Sequence, residues 1–153
     1  MSGMDLWAWG EDAEQPRILH SMVRVGDLDR AVAFYRDALG MNQLSRIDVE
    51  SGRFSIAFMG YGEAFHTGAI ELTHNWDHPA NTEGYTHGSG YGHVAIGVPD
   101  VHATCERLRA AGVAITVEPK ILIEGGPALA FVKDPDGYSI ELIQTSRRPA
   151  GAP

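Results

Sequence analysis

An internal repeat constrains this chain more than any other feature. The segment H-S-M-V-R-V-G-D-L at residues 20–28 returns as H-V-A-I-G-V-P-D-V at residues 93–101. The same offset carries Val25 onto Val98, Asp27 onto Asp100 and Ala57-Phe58 onto Ala130-Phe131. The triplet I-E-L recurs at 70–72 and 140–142, where the offset has shortened from 73 to 70 residues of loop and strand. A period near half of the 153 residues means two copies of one supersecondary unit, not a solenoid of many.

Each copy has the same grammar. An apolar strand opens on His (His20 to Val25; His93 to Val98), and an Asp follows in N-cap position, Asp27 or Asp100. A helix comes next. Leu28, Val32, Tyr35 and Leu39 form one apolar stripe ended by Gly40; Val101, Cys105, Leu108 and Ala111 form the other, ended by Gly112. Three strands close each unit: Leu44 to Val49, Phe54 to Met59 and Ala69 to Thr73, then Val113 to Val117, Ala128 to Val132 and Ser139 to Ile143. D-P-D-G at 134–137 predicts a tight hairpin, with Gly137 free to take positive φ. Each copy therefore reads β-α-β-β-β. The expected organisation is an N-terminal tail at 1–17, a single domain at 18–146 and a C-terminal tail at 147–153. Within the domain, module one spans 18–76, a Gly-, His- and Asn-rich linker 77–90, and module two 91–146. Trp7 and Trp9 in the first tail are read as covers for an apolar patch.

Composition narrows the function. Twelve basic against 20 acidic residues give a net charge of −8, which disfavours binding to nucleic acid or to anionic lipid. No apolar stretch is long enough for a membrane helix, and the first residues read as no signal peptide. One cysteine, Cys105, excludes a disulfide framework and fits the reducing cytoplasm; its place on a helix stripe makes it a core residue. With seven His and one Cys, a metal site here would be built from imidazole and carboxylate.

The repeat selects the candidates. His20 and His93 open equivalent strands; Glu71 and Glu141 sit mid-strand between apolar neighbours, so alternation turns each to the face opposite its Ile and Leu. A mid-strand carboxylate is costly unless paired or bound to a cation. Taken singly, each residue is explained by a backbone hydrogen bond or by solvent; the symmetric quartet is what argues for a metal. Two imidazoles and two carboxylates suit Ni, Co, Zn or Mn rather than Mg or Ca. His66, His74, His78, His87 and His102 have no repeat partner and are read as solvated.

The chain resembles glyoxalase I, or lactoylglutathione lyase, of the vicinal oxygen chelate superfamily. The resemblance runs through H-S-M-V-R-V-G-D-L, F-Y-R-D-A-L-G-M, I-E-L-T-H-N-W, G-Y-G-H-V-A-I-G-V-P-D-V and A-F-V-K-D-P-D-G-Y-S-I-E-L-I, from His20 to Ile143. It implies an α+β fold of two tandem βαβββ modules with curved mixed sheets. It also implies a homodimer whose metal site, at the interface, joins His20 and Glu71 of one subunit to His93 and Glu141 of the other. His20 at the first ligand position points to nickel or cobalt, with zinc as the other choice. The reaction implied is isomerisation of the methylglyoxal–glutathione hemithioacetal to S-lactoylglutathione through an enediolate, with Glu141 as the base and Glu71 as ligand and assistant. Arg24 and Asn75 match contacts to the glutamyl end of glutathione, and Phe54, Ile56 and Phe58 are candidates for an apolar wall. One departure stands out. In E-P-K-I-L-I-E-G-G (118–126), Lys120 is displaced and Glu124 falls where a lysine for the glycyl carboxylate is usual. The alternatives are another metal-dependent enzyme of the superfamily (an acyl-thioester epimerase, a thiol transferase or a dioxygenase) or a non-catalytic ligand-sequestering dimer. Four protein ligands argue against the last three of these.

Overall fold

The computed structural model describes residues 16–63 and 67–146. Trp7, Trp9, His66 and the seven C-terminal residues lie outside the described residues. The chain divides into two compact units, with the boundary between Thr86 and His87.

Unit one contains β1 (His20–Arg24), α1 (Leu28–Ala33), β2 (Asn42–Val49), β3 (Phe54–Gly60), β4 (Ala69–Asn75) and a short α2 (Ala80–Glu83). Its four-stranded sheet runs β1-β4-β3-β2. β1 pairs with β4 in parallel; the other pairs are antiparallel. Unit two repeats this with β5 (His93–Val98), α3 (Val101–Ala110), β6 (Ile115–Ile121), β7 (Ala128–Lys133) and β8 (Ser139–Gln144), in the order β5-β8-β7-β6. Again only the pair β5–β8 is parallel. Two four-stranded mixed sheets, each with one main helix, are the α+β tandem fold expected.

The helices start where the sequence places them. Asp27 Oδ1 accepts the Arg30 amide at 2.9 Å, and Asp100 Oδ1 accepts the Ala103 amide at 3.0 Å. The apolar stripes are buried: Leu28, Val32, Tyr35 and Leu39 in one unit, Val101, Cys105 and Leu108 in the other. Each packs on one face of its sheet, where Ala57, Ile70 and Leu72, or Ala130, Ile140 and Leu142, are buried.

Two local expectations need correction, and the linker has one feature besides. The first helix is not uniformly α: Phe34–Ala38 form a π turn, closed by Leu39 N–H donating to the Phe34 carbonyl. The extra residue in that turn lets Tyr35, Ala38 and Leu39 all reach the core while Arg36 and Asp37 stay outside. Ala111 is exposed, because α3 ends at Ala110 and the Val113 amide bonds back to the Leu108 carbonyl. The linker carries a helical turn, α2, in which Thr82 Oγ1 donates to the Pro79 carbonyl.

The predicted hairpin forms. Asp134 is buried, its Oδ1 accepts the Asp136 and Tyr138 amides, and Gly137 has φ +84°. Gly97 on β5 answers a different need, a close approach. A Cβ built there would lie 2.7 Å from Thr145 Cγ2, and Thr145 is held by its hydroxyl donating to the Val98 carbonyl. Gly97→Ala should therefore cost about 1–3 kcal/mol in urea unfolding. Adding Thr145→Ser, which deletes the clashing methyl and keeps the hydroxyl, should recover most of the loss.

Candidate metal and active site

The parallel strand pair builds each half of the site. In unit one, His20 is in register with Ala69, so Glu71, two residues on, sits on the same face beside it. His20 Nε2 stands 2.8 Å from Glu71 Oε2. In unit two, His93 is in register with Ser139 and Glu141 is two residues on; His93 Nε2 stands 3.0 Å from Glu141 Oε2. The flanking Ile70, Leu72, Ile140 and Leu142 are buried, and each Glu points from the opposite face with only 12–14% of its side chain exposed.

A third residue completes each half. Phe58 is in register with Glu71, and Phe131 with Glu141. Each ring meets its imidazole edge-on, with centroids 5.3 Å apart for His20–Phe58 and 5.2 Å for His93–Phe131. The Ala-Phe repeat was the sequence signal for this pair, but it does not say what the ring touches. Phe58 and Ile56 lie in a buried cluster with Ala69, against which Phe54 packs. For Ile56 and Phe58 this is core packing rather than an open apolar wall.

The donor set fits a divalent cation. Two donors each about 2.1 Å from an ion lie about 3.0 Å apart at a right angle and about 3.4 Å apart at the tetrahedral angle. The 2.8 and 3.0 Å separations are those of a hydrogen bond, and also of adjacent ligands in a six-coordinate site. Among the described residues no group of three or more His, Cys, Asp or Glu forms a metal cluster, so each unit by itself offers two donors.

The substrate-side candidates divide between the units. Arg24 is in register with Thr73, and Asn75 follows two residues later, so both share the face of Glu71. Asn75 Oδ1 is buried without a hydrogen-bond partner. Lys120, exposed, is in register with Leu129 on the face of Glu141. Glu124 lies beyond β6, where Ile121, Leu122 and Ile123 are exposed.

Two histidines read as solvated are not. His87 stacks on Tyr138 at 4.2 Å with Nε2 buried, and His74 Nδ1 lies 3.3 Å from the Val25 carbonyl. Both belong to unit packing, which periodicity does not report.

The family model for the glyoxalase/bleomycin resistance protein/dioxygenase superfamily matches residues 17–142. The chain belongs to that superfamily. Among curated relatives it is 50% identical over 131 residues to a probable lactoylglutathione lyase of Synechocystis, covering 86% of this chain and 97% of that one. It is 45% identical over 135 residues to the lactoylglutathione lyase of Haemophilus influenzae, covering 88% and 97%. Among solved structures, the trypanothione-dependent glyoxalase I of Leishmania major matches with a TM-score of 0.73 and 42% identity over 85% of this chain and 87% of that one. Glyoxalase I of Zea mays gives 0.77 and 40%, covering 88% of this chain and 46% of the maize chain.

Cys105 is packed on the buried stripe of α3, with Val101 and Leu108. It is buried, and its thiol is pushed above the ordinary range, first by burial and then by Glu118. A raised pKa leaves less thiolate at neutral pH. Folded protein should react with a thiol reagent far more slowly than urea-unfolded protein, and Cys105→Ala should leave turnover unchanged.

Proposed function

We propose that this protein is a metal-dependent lactoylglutathione lyase, acting on the hemithioacetal of a 2-oxoaldehyde and glutathione. The observation that carries the reading is the duplicated His–Glu pair: the same two donors, in the same register, on equivalent strands of both units. Relatives named for this activity at 45–50% identity over most of the chain support it.

In this reading His20, Glu71, His93 and Glu141 hold one divalent cation, nickel or cobalt by preference. Each unit offers two donors, and the resemblance to glyoxalase I implies that the full set forms when His20 and Glu71 of one subunit join His93 and Glu141 of a second copy. Once bound, the cation supplies Lewis-acid stabilisation for negative charge developing on the two substrate oxygens. The protein does the rest. Glu141 removes the proton at C1 and returns it at C2, so the hemithioacetal becomes the thioester with no net change in atoms or electrons. Phe58 and Phe131 fix the two imidazole planes from the side. Asn75 Oδ1, buried and unpaired, would otherwise cost about 1–3 kcal/mol, and the glutamyl ammonium of the thiol offers it a donor. The Arg24 guanidinium matches the neighbouring carboxylate. Lys120, exposed on the face of Glu141, is the cation assigned to the glycyl end, since Lys133 on the same face is engaged by Ser139; Glu124 nearby weakens that contact. No helix among the described residues is long and apolar enough to cross a membrane. Action in the cytoplasm, where glutathione and free thiols persist, suits the single reduced cysteine.

Chelator-treated protein should lose hemithioacetal turnover and regain it on adding Ni or Co, with less return from Zn. If none of these metals restores activity, the lyase reading fails. Glu141→Gln should lower kcat by about 10²-fold or more, whereas Lys120→Ala should raise KM for the glutathione adduct with little effect on kcat.

A further inference from the structure

The two half-sites are equal in donors but not in what surrounds them. Glu71 is engaged at both oxygens: Oε2 faces His20, and Oε1 accepts the hydroxyl of Thr73 at 3.1 Å. Thr73 is two residues further along β4, on the same face, and is itself 7% exposed. Its position in the repeat is taken by Ile143 in unit two. Ile143 has no hydroxyl, so nothing equivalent reaches Glu141. Among the described residues Glu141 meets His93 alone. The difference continues on the neighbouring strand, where Arg24 pairs with Thr73 but Gly97 pairs with Ile143. One carboxylate is held at both oxygens, partly from its own strand; its twin is held at one.

We propose that Thr73 is a positioning residue that locks Glu71 in place as a ligand and so assigns proton transfer to the less tethered Glu141. The inference rests on the metal-lyase reading above and explains why two carboxylates in equivalent registers take different roles. A ligand must keep its oxygen lone pair aimed at the cation, and a hydrogen bond to its second oxygen removes the rotation that would spoil that aim. A base must do the opposite: it has to shift between the cation and the substrate carbon. A buried hydroxyl two residues away on the same strand supplies the first condition, and an apolar side chain at the same place preserves the second.

The test uses the full-length chain stripped of metal. The Ni dissociation constant is measured by competition with a chromophoric chelator, and kcat and KM are measured on reloaded protein. Thr73→Val, close in shape but without the hydroxyl, should weaken Ni binding about 10-fold or more; Thr73→Ser should restore it to near the wild-type value. The reciprocal change, Ile143→Thr, places a donor beside Glu141. It should lower kcat several-fold while Ni binding stays equal or tightens, a pattern that loss of stability does not produce. The proposal is overturned if Thr73→Val binds Ni and turns over as wild type does, if Thr73→Ser fails to rescue, or if Ile143→Thr leaves kcat unchanged. If wild-type protein binds no divalent metal, the underlying lyase reading fails instead, and the two failures are told apart by that one control.

Discussion

The parallel pairing of the first and last strands of each unit is the constraint on which the rest depends. A β-α-β-β-β chain could place its first strand at either edge of the sheet. Here β1 docks on β4 and β5 on β8, both in parallel. Only that pairing sets His20 one pleat from Glu71 and His93 one pleat from Glu141. The helix on the other face drives it: Val25 and the stripe from Leu28 to Leu39 bury against Ile70 and Leu72, and Val101, Cys105 and Leu108 are buried in the second unit with Ile140 and Leu142. Hydrophobic burial on one face therefore aligns polar donors on the other.

That division of faces resolves the cost of burying two carboxylates. Glu71 and Glu141 are mostly covered, yet each has an imidazole within hydrogen-bond reach and an aromatic ring behind that imidazole. Each carboxylate thus has a hydrogen-bonding partner within its own unit before any cation is considered. Duplication then lets one unit differ from the other at neighbouring positions without disturbing the ligand pair. Thr73 and Ile143 occupy one such position, and only Thr73 brings a hydroxyl to its carboxylate.

Much of this was legible from residues alone. The repeat of His, Asp and I-E-L implied two units, and alternation around Glu71 and Glu141 placed both on the face opposite their Ile and Leu neighbours. Cap residues and the D-P-D-G turn announced their own geometry because each acts over three or four residues. The π turn at Phe34–Ala38 left no such signal, since an added residue in a helix preserves the apolar stripe on either side. The stacking of His87 on Tyr138 joins residues about fifty apart in the chain, beyond the reach of any local period.

By itself, then, the sequence determined the doubled unit, its element order, its buried stripes and the two matched His–Glu pairs, because periodicity and repetition are written in local order. Only the tertiary structure decided which atoms meet. Strand register set the 2.8 and 3.0 Å His–Glu separations, placed Phe58 and Phe131 against the imidazoles, and turned the Thr73 hydroxyl onto Glu71. The reason is physical: cross-strand distances follow from how separate segments pair, and pairing is selected by the burial of the whole sheet rather than by any one strand.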